Sequence, residues 1–226
     1  MTNNLINELD AIVMAIKGGT YSAGTWQNMV EKISRQDIQT RRSLRKHVTE
    51  VSDLLHGRHG HISFSFLTVY LTGLSIIAVA VGLSFFNSAL ANALATLLFA
   101  LTLQPVIKVT AGLLLGIRYS YAYLWYSEPR FKMRYGHYLS RPPWRRIMFQ
   151  LTGSVGTPLA MLIGMYLLKD VSYLFWLCVL GLITFTLAQL LAFIAALIGI
   201  RRIGPFTLRH LTTPAMLGFE IKQTYS

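Results

Sequence analysis

Residues 88–126 read SALANALATLLFALTLQPVIKVTAGLLLGIRYSYAYLWY. Across these roughly forty positions only Lys108 and Arg118 are charged. A helix rises about 1.5 Å per residue, and a bilayer's hydrocarbon core is about 30 Å thick, so some twenty apolar residues cross it. The stretch is longer than one crossing. The tyrosines and tryptophan at its end, Tyr119, Tyr121, Tyr123, Trp125 and Tyr126, are of the kind that gather at headgroup level. Two geometries fit: a long helix, kinked at Pro105, that projects from the membrane, or a span followed by an interfacial helix.

Working outward, an uncharged run from Ile62 to Phe86 precedes the stretch, and Asn87-Ser88 marks a short turn. Two further runs follow, about 147–168 with Pro158 and about 171–200, separated by Lys169-Asp170 and closed by Arg201-Arg202. The expected fold is an all-α membrane protein. It has a four-transmembrane-helix bundle over 62–200, an N-terminal amphipathic helical region over 1–61, and a tail over 201–226 containing Pro205 and Pro214.

Composition agrees. Of 226 residues, 53% are hydrophobic and 13% charged, about half the charged share of an ordinary soluble domain. The formal net charge is +12, so basic residues crowd the edges of the apolar runs. The single cysteine, Cys178, lies inside a run and allows neither an intrachain disulfide nor a cysteine metal cluster. No signal peptide is expected, because the first 60 residues are polar or amphipathic.

In that N-terminal region Leu5, Leu9, Ile12, Val13 and Ile16 recur at helical spacing until Gly18-Gly19. Thr25 is placed to cap a second helix with Trp26, Met29, Val30 and Ile33 on one face. Ser34 with Asp37 suggests a variant capping box. Leu44, Val48, Val51 and Leu55 form a third stripe whose opposite face carries Arg41, Arg42, Arg45 and Lys46. Such a basic amphipathic helix docks on anionic headgroups, packs on a partner, or closes a small helical hairpin.

Counting basic residues orients the chain. Eight Lys/Arg lie in 1–61, seven in 118–146 and four from Arg201 on. Four crossings put all three segments on one side, the cytoplasmic one, with both termini. A fifth span made by breaking the chain at Pro105 would put the basic N-terminal region opposite the basic loop. The expected location is a plasma (inner) membrane.

Several patterns bear on function. Gln104, Lys108, Gly112 and Gly116 are spaced four apart and share a helix face. A lysine near the bilayer interior points to a site, or else it snorkels to the interface. Gly112 with Gly116, and Gly153, Thr157, Ala160 and Gly164, permit close helix approach. The loop over 118–146 carries Arg118, Arg130, Lys132, Arg134, Arg141, Arg145 and Arg146, a set suited to anionic headgroups or to enforcing topology. His56, His59 and His61 are weak metal candidates, because Arg58 sits among them and only Asp53 is near; they read better as a polar membrane-proximal loop. The boxes of membrane di-iron oxygenases, which they loosely resemble, are absent.

Arg134 to Arg141-Pro142 resembles the first motif of the lipid phosphatase family, with Arg in place of Lys. That family also needs a Ser-Gly-His element and a later histidine, and neither occurs here. Acid-rich prenyl- and alcohol-phosphotransferase motifs, Walker patterns and Rossmann patterns are likewise absent. The reading is therefore non-enzymatic: a subunit or assembly factor of a plasma-membrane complex that contacts anionic lipid. A protein partner or homo-oligomer is expected; a cofactor and nucleic acid are not. The rivals are a membrane-embedded enzyme or carrier for an anionic lipid, and an oligomeric pore lined by the Gln104–Lys108 face.

Overall fold

The computed structural model describes residues 2–22, 24–58, 60, 62–86, 88–125, 128–200, 202–203, 206–207 and 213–225. The chain forms two compact units. One comprises Met1–Phe66, Leu115–Arg146 and Gln223–Ser226; the other comprises Leu67–Leu114 and Ile147–Lys222.

The first unit begins with four helices, α1 (Thr2–Lys17), α2 (Thr25–Ser34), α3 (Ile38–Ser43) and α4 (Arg45–Gly57). The stripes read from the sequence are its core. Leu9, Ile33, Leu44 and Val51 are fully buried, with Leu5, Ile12, Val13, Ile16, Met29, Val30 and Val48 beside them. The caps differ by a residue or more from expectation. Gly24, at φ 98°, precedes α2 without a side-chain cap. Asp37, rather than Ser34, caps α3, accepting from the Gln39 and Thr40 backbone N–H groups at 2.7 and 2.9 Å. An aspartate at this position satisfies donors that the first helical turn leaves open.

The all-α expectation fails over the aromatic segment. Residues 119–125 and 128–133 are neither a projecting nor an interfacial helix. They form a hairpin of β2 (Tyr119–Trp125) and β3 (Glu128–Met133), joined by the short β1 (Ser63–Phe64) into an antiparallel sheet of order β1-β2-β3. The alternation at 119, 121, 123 and 125 has period two, the period of a strand. Pro129 sits on β3, the edge strand, where a missing N–H does no harm. A short helix, α7 (Tyr135–Leu139), follows and packs on α3 and α4.

The second unit holds four helices long and apolar enough to cross a membrane: α5 (Phe66–Ser84), α6 (Ala89–Leu114), α8 (Pro143–Leu167) and α9 (Ser172–Ile198). Pro105 and Pro158 lie inside α6 and α8 and end neither. Small residues set the contact between these two helices. A Cβ on Gly156 would overlap the Gln104 backbone, and one on Gly164 would meet the Thr96 side chain at 2.5 Å. Gly116 takes no part in this contact, because α6 ends at Leu114. Outward faces carry bare leucines, among them Leu71, Leu101, Leu162, Leu180 and Leu191. So large an exposed apolar surface is foreign to a soluble monomer.

The tail is not open chain throughout. Beyond a two-strand turn of β4 (Arg202–Ile203) and β5 (Phe206–Thr207), α10 (Thr213–Tyr225) returns and packs Ala215 against Ala192 and Ala196 of α9. Pro214 occupies its first turn, where proline is tolerated.

Candidate anion-binding site

Four segments of the first unit bring cationic side chains together. Their backbones are tied by hydrogen bonds, so the convergence is a property of the fold. At the open end of the β2–β3 hairpin, Arg134 N–H donates to Arg118 O at 2.8 Å, which makes these two arginines cross-strand neighbours. His137, in the middle of α7, donates its N–H to Arg134 O at 2.9 Å. Gly136 N–H donates to Thr49 Oγ1 at 3.2 Å, and Thr49 Oγ1 donates to Arg45 O at 2.8 Å, so α7 lies against the Arg45 turn of α4. A Cβ on Gly136 would overlap Arg45 O, so only glycine permits this approach. Finally, the Arg141 guanidinium donates to Gly116 O, two residues before Arg118. Gly116 holds φ +77°, and a Cβ there would meet Arg141 Nη2 at 2.8 Å.

The electrostatics of the cluster are one-sided. His137 is pushed down to about 4, first by burial and then by Arg45, Arg118, Arg134 and Arg141. Arg141 is lowered from its ordinary value by burial and by Arg145, Arg45, Arg118 and Arg42. Among the described residues, the charged groups that shift these two are all cations. The carboxylates of this unit with described partners look elsewhere. Glu8 pairs with Lys32 at 2.7 Å, Glu31 with Arg35 at 2.9 Å, and Asp53 with Lys132 at 3.3 Å, while Asp37 caps α3. Buried Nε–H groups of Arg45, Arg141 and Arg145, and the Nδ1 atom of His137, have no acceptor or donor among the described residues.

The other sequence candidates fall into three groups. Lys132 is buried, donating to Ser52 Oγ at 2.6 Å and Ser52 O at 3.3 Å, so its ammonium staples the hairpin to α4. Burial lowers its pKa more than Asp53 raises it. Arg146 is 1% exposed and lies over the Tyr138 ring, 5.9 Å from its centroid; Arg145 lies over Trp144 at 5.2 Å. Arg130 is half-buried opposite Tyr123 on β2. In the second unit, Gln104 donates to Gly153 O at 3.1 Å and accepts from Thr157 Oγ1 at 2.8 Å. Lys108 reaches Thr213 Oγ1 of α10 at 3.3 Å and sits 5.2 Å from the Phe149 centroid.

His56 pairs with the Tyr121 hydroxyl at 2.9 Å and packs edge-on against Tyr123. His59 and His61 lie outside the described residues. No group of three His, Cys, Asp or Glu among the described residues could hold a metal ion.

Sequence reasoning missed Arg45 and His137 as members of the cluster. The only signal was the basic face of α4, and nothing in the spacing ties that face to a loop some seventy residues later. It also placed Arg41 on that open face, whereas Arg41 is 4% exposed and donates to Leu139 O at 3.0 Å. No known family model, curated protein or solved structure matches the chain.

Proposed function

We propose that the protein is a multi-pass membrane protein whose N-terminal helices and basic loop form one headgroup-docking module. It acts as a non-enzymatic subunit or assembly factor of a plasma-membrane complex. The observation that carries this reading is the joining of Arg45 from the N-terminal region with Arg118, Arg134 and Arg141 of the loop, with only cations acting on their common neighbour His137. Arg118 lies four residues beyond the end of α6, and Arg145 lies in the first turn of α8. With each long helix crossing once, both positions fall at headgroup depth on one side, the side the basic residues assign to the cytoplasm. Each basic residue near an anionic membrane adds about 1 kcal/mol.

The pore reading draws less support. Gln104 is hydrogen-bonded to α8 on both sides of its amide, an arrangement that suits helix packing.

The test is native mass spectrometry of the full chain released from membranes of mixed lipid. Retention of anionic over zwitterionic lipid is expected, with the preference weakened in Arg118→Gln/Arg134→Gln. Equal retention of both lipid classes would sink the proposal.

A further inference from the structure

We infer that Arg45, Arg118, Arg134, Arg141 and His137 form a discrete site for a phosphate monoester dianion, rather than a diffuse positive patch. The inference rests on the headgroup-docking reading and sharpens it by naming the ligand chemistry.

Three observations point the same way. The first is geometric. The four arginines come from the start of α4, the residue before β2, the residue before α7 and the second residue after it. Hydrogen bonds from Arg134 N–H to Arg118 O, His137 N–H to Arg134 O and Arg141 to Gly116 O tie three of them to one end of the hairpin, and Gly136 N–H to Thr49 Oγ1, with Thr49 Oγ1 to Arg45 O, brings in the Arg45 turn. A topology signal needs basic residues only in the right loop; it does not need them drawn to one point from separate segments. The second is charge. Like charges repel, most where Arg45 and Arg141 are partly buried, and the described ion pairs of this unit are formed by other residues. A dianion offsets more of that repulsion than the single charge of a phosphodiester. The third is donor capacity. The buried Nε–H groups of Arg45 and Arg141 have no described acceptor, and a guanidinium presents its donors in a planar fork that matches a phosphate. His137 Nδ1 is likewise buried with no described partner, so a protonated imidazole would add a further donor once an anion compensates its charge.

A phosphate monoester has two possible sources here: a lipid with a terminal phosphate, or a phosphorylated solute. The experiment separates them. Full-length protein is placed in nanodiscs of phosphatidylcholine alone, with phosphatidic acid, or with phosphatidylglycerol at matched surface charge. Inorganic phosphate is added to the first set. The readout is the titration of the His137 ring by NMR, assigned by its loss in His137→Gln.

A rise of its pKa from about 4 towards the ordinary histidine range is expected with a monoester ligand. A rise with phosphatidic acid only makes the ligand a lipid headgroup. A rise with inorganic phosphate only makes it a soluble phosphate ester. Either result, or both, supports the site.

An equal rise with phosphatidylglycerol and phosphatidic acid overturns the site while leaving headgroup docking standing. No rise in any arm overturns the site as well, and the lipid-retention measurement then judges the docking reading by itself. Arg118→Gln/Arg134→Gln alters two exposed side chains and leaves their backbone bonds in place. It should weaken binding of the effective ligand roughly tenfold or more. Unchanged binding in that variant would also count against the site.

Discussion

Lys132 donates to Ser52 O and Ser52 Oγ and pairs with Asp53, all from one buried ammonium. The two ends of this arrangement are unequal, because the Asp53 side chain is 44% exposed and the Lys132 side chain 9%. Lys132→Ala should therefore destabilise the fold by about 1–3 kcal/mol, while Asp53→Asn should change it far less. Thermal melting of both variants in micelles checks the contrast, and equal losses would make the ion pair the dominant contact. His137 sets a pH dependence of known sign. Its folded value of about 4 lies below the 6.5 of an unperturbed histidine. Between these values the unfolded chain binds more protons, so stability is full above about pH 6.5 and falls as the pH drops towards 4. The groups facing it are Arg45 of α4 and Arg118, Arg134 and Arg141 of the loop. His137→Gln should flatten this part of the pH–melting curve relative to the parent. Parallel curves would mean that the imidazole feels no such field.

Helix α8 approaches α6 through glycines, and the depth of that approach can be read from substitutions. Gly156→Leu places its Cβ where the Gln104 backbone lies, whereas a Cβ on Gly82 of α5 meets nothing within 4 Å. The first should lower the melting temperature in micelles by many degrees and the second should leave it nearly unchanged. Similar melting of the two would mean that α6 and α8 do not pack as described. Elements of this kind were legible in advance. The stripes of α1, α2 and α4 show at once which side is buried, and the long apolar runs exceed any soluble helix. The hairpin was not, because its alternation of Tyr119, Tyr121 and Tyr123 adjoins α6 and its interleaved Ala122 and Leu124 are apolar, so the segment reads as a continuation of the span. Nor was the convergence of Arg45 with Arg118 legible, since it depends on the glycine seat at Gly136 and the left-handed turn at Gly116. Local spacing encodes neither contact.

At the scale of the whole molecule, four helices are long and apolar enough to cross a membrane, and the proposed reading has each cross once, an even number in all. Cysteines placed one at a time in a Cys178→Ala background should map them. A thiol at Asp170 should react with an impermeant reagent added to intact cells, and thiols at Gln36 and Arg130 should react only after lysis. Reaction of the Arg130 thiol from outside would reverse the assigned sidedness and remove the cluster from the inner leaflet.

The first unit is stitched from separated stretches of chain, Met1–Phe66, Leu115–Arg146 and Gln223–Ser226. That order has a consequence for biosynthesis. Helices α1 to α4 leave the ribosome first and can bury their shared apolar stripe at once, but the seat for α7 on α4 stays open. The segment that fills it emerges only after two long apolar helices have been made. At about 5–20 residues per second, that interval lasts several seconds. A nascent chain stalled before Tyr135 would leave that seat on α4 unfilled.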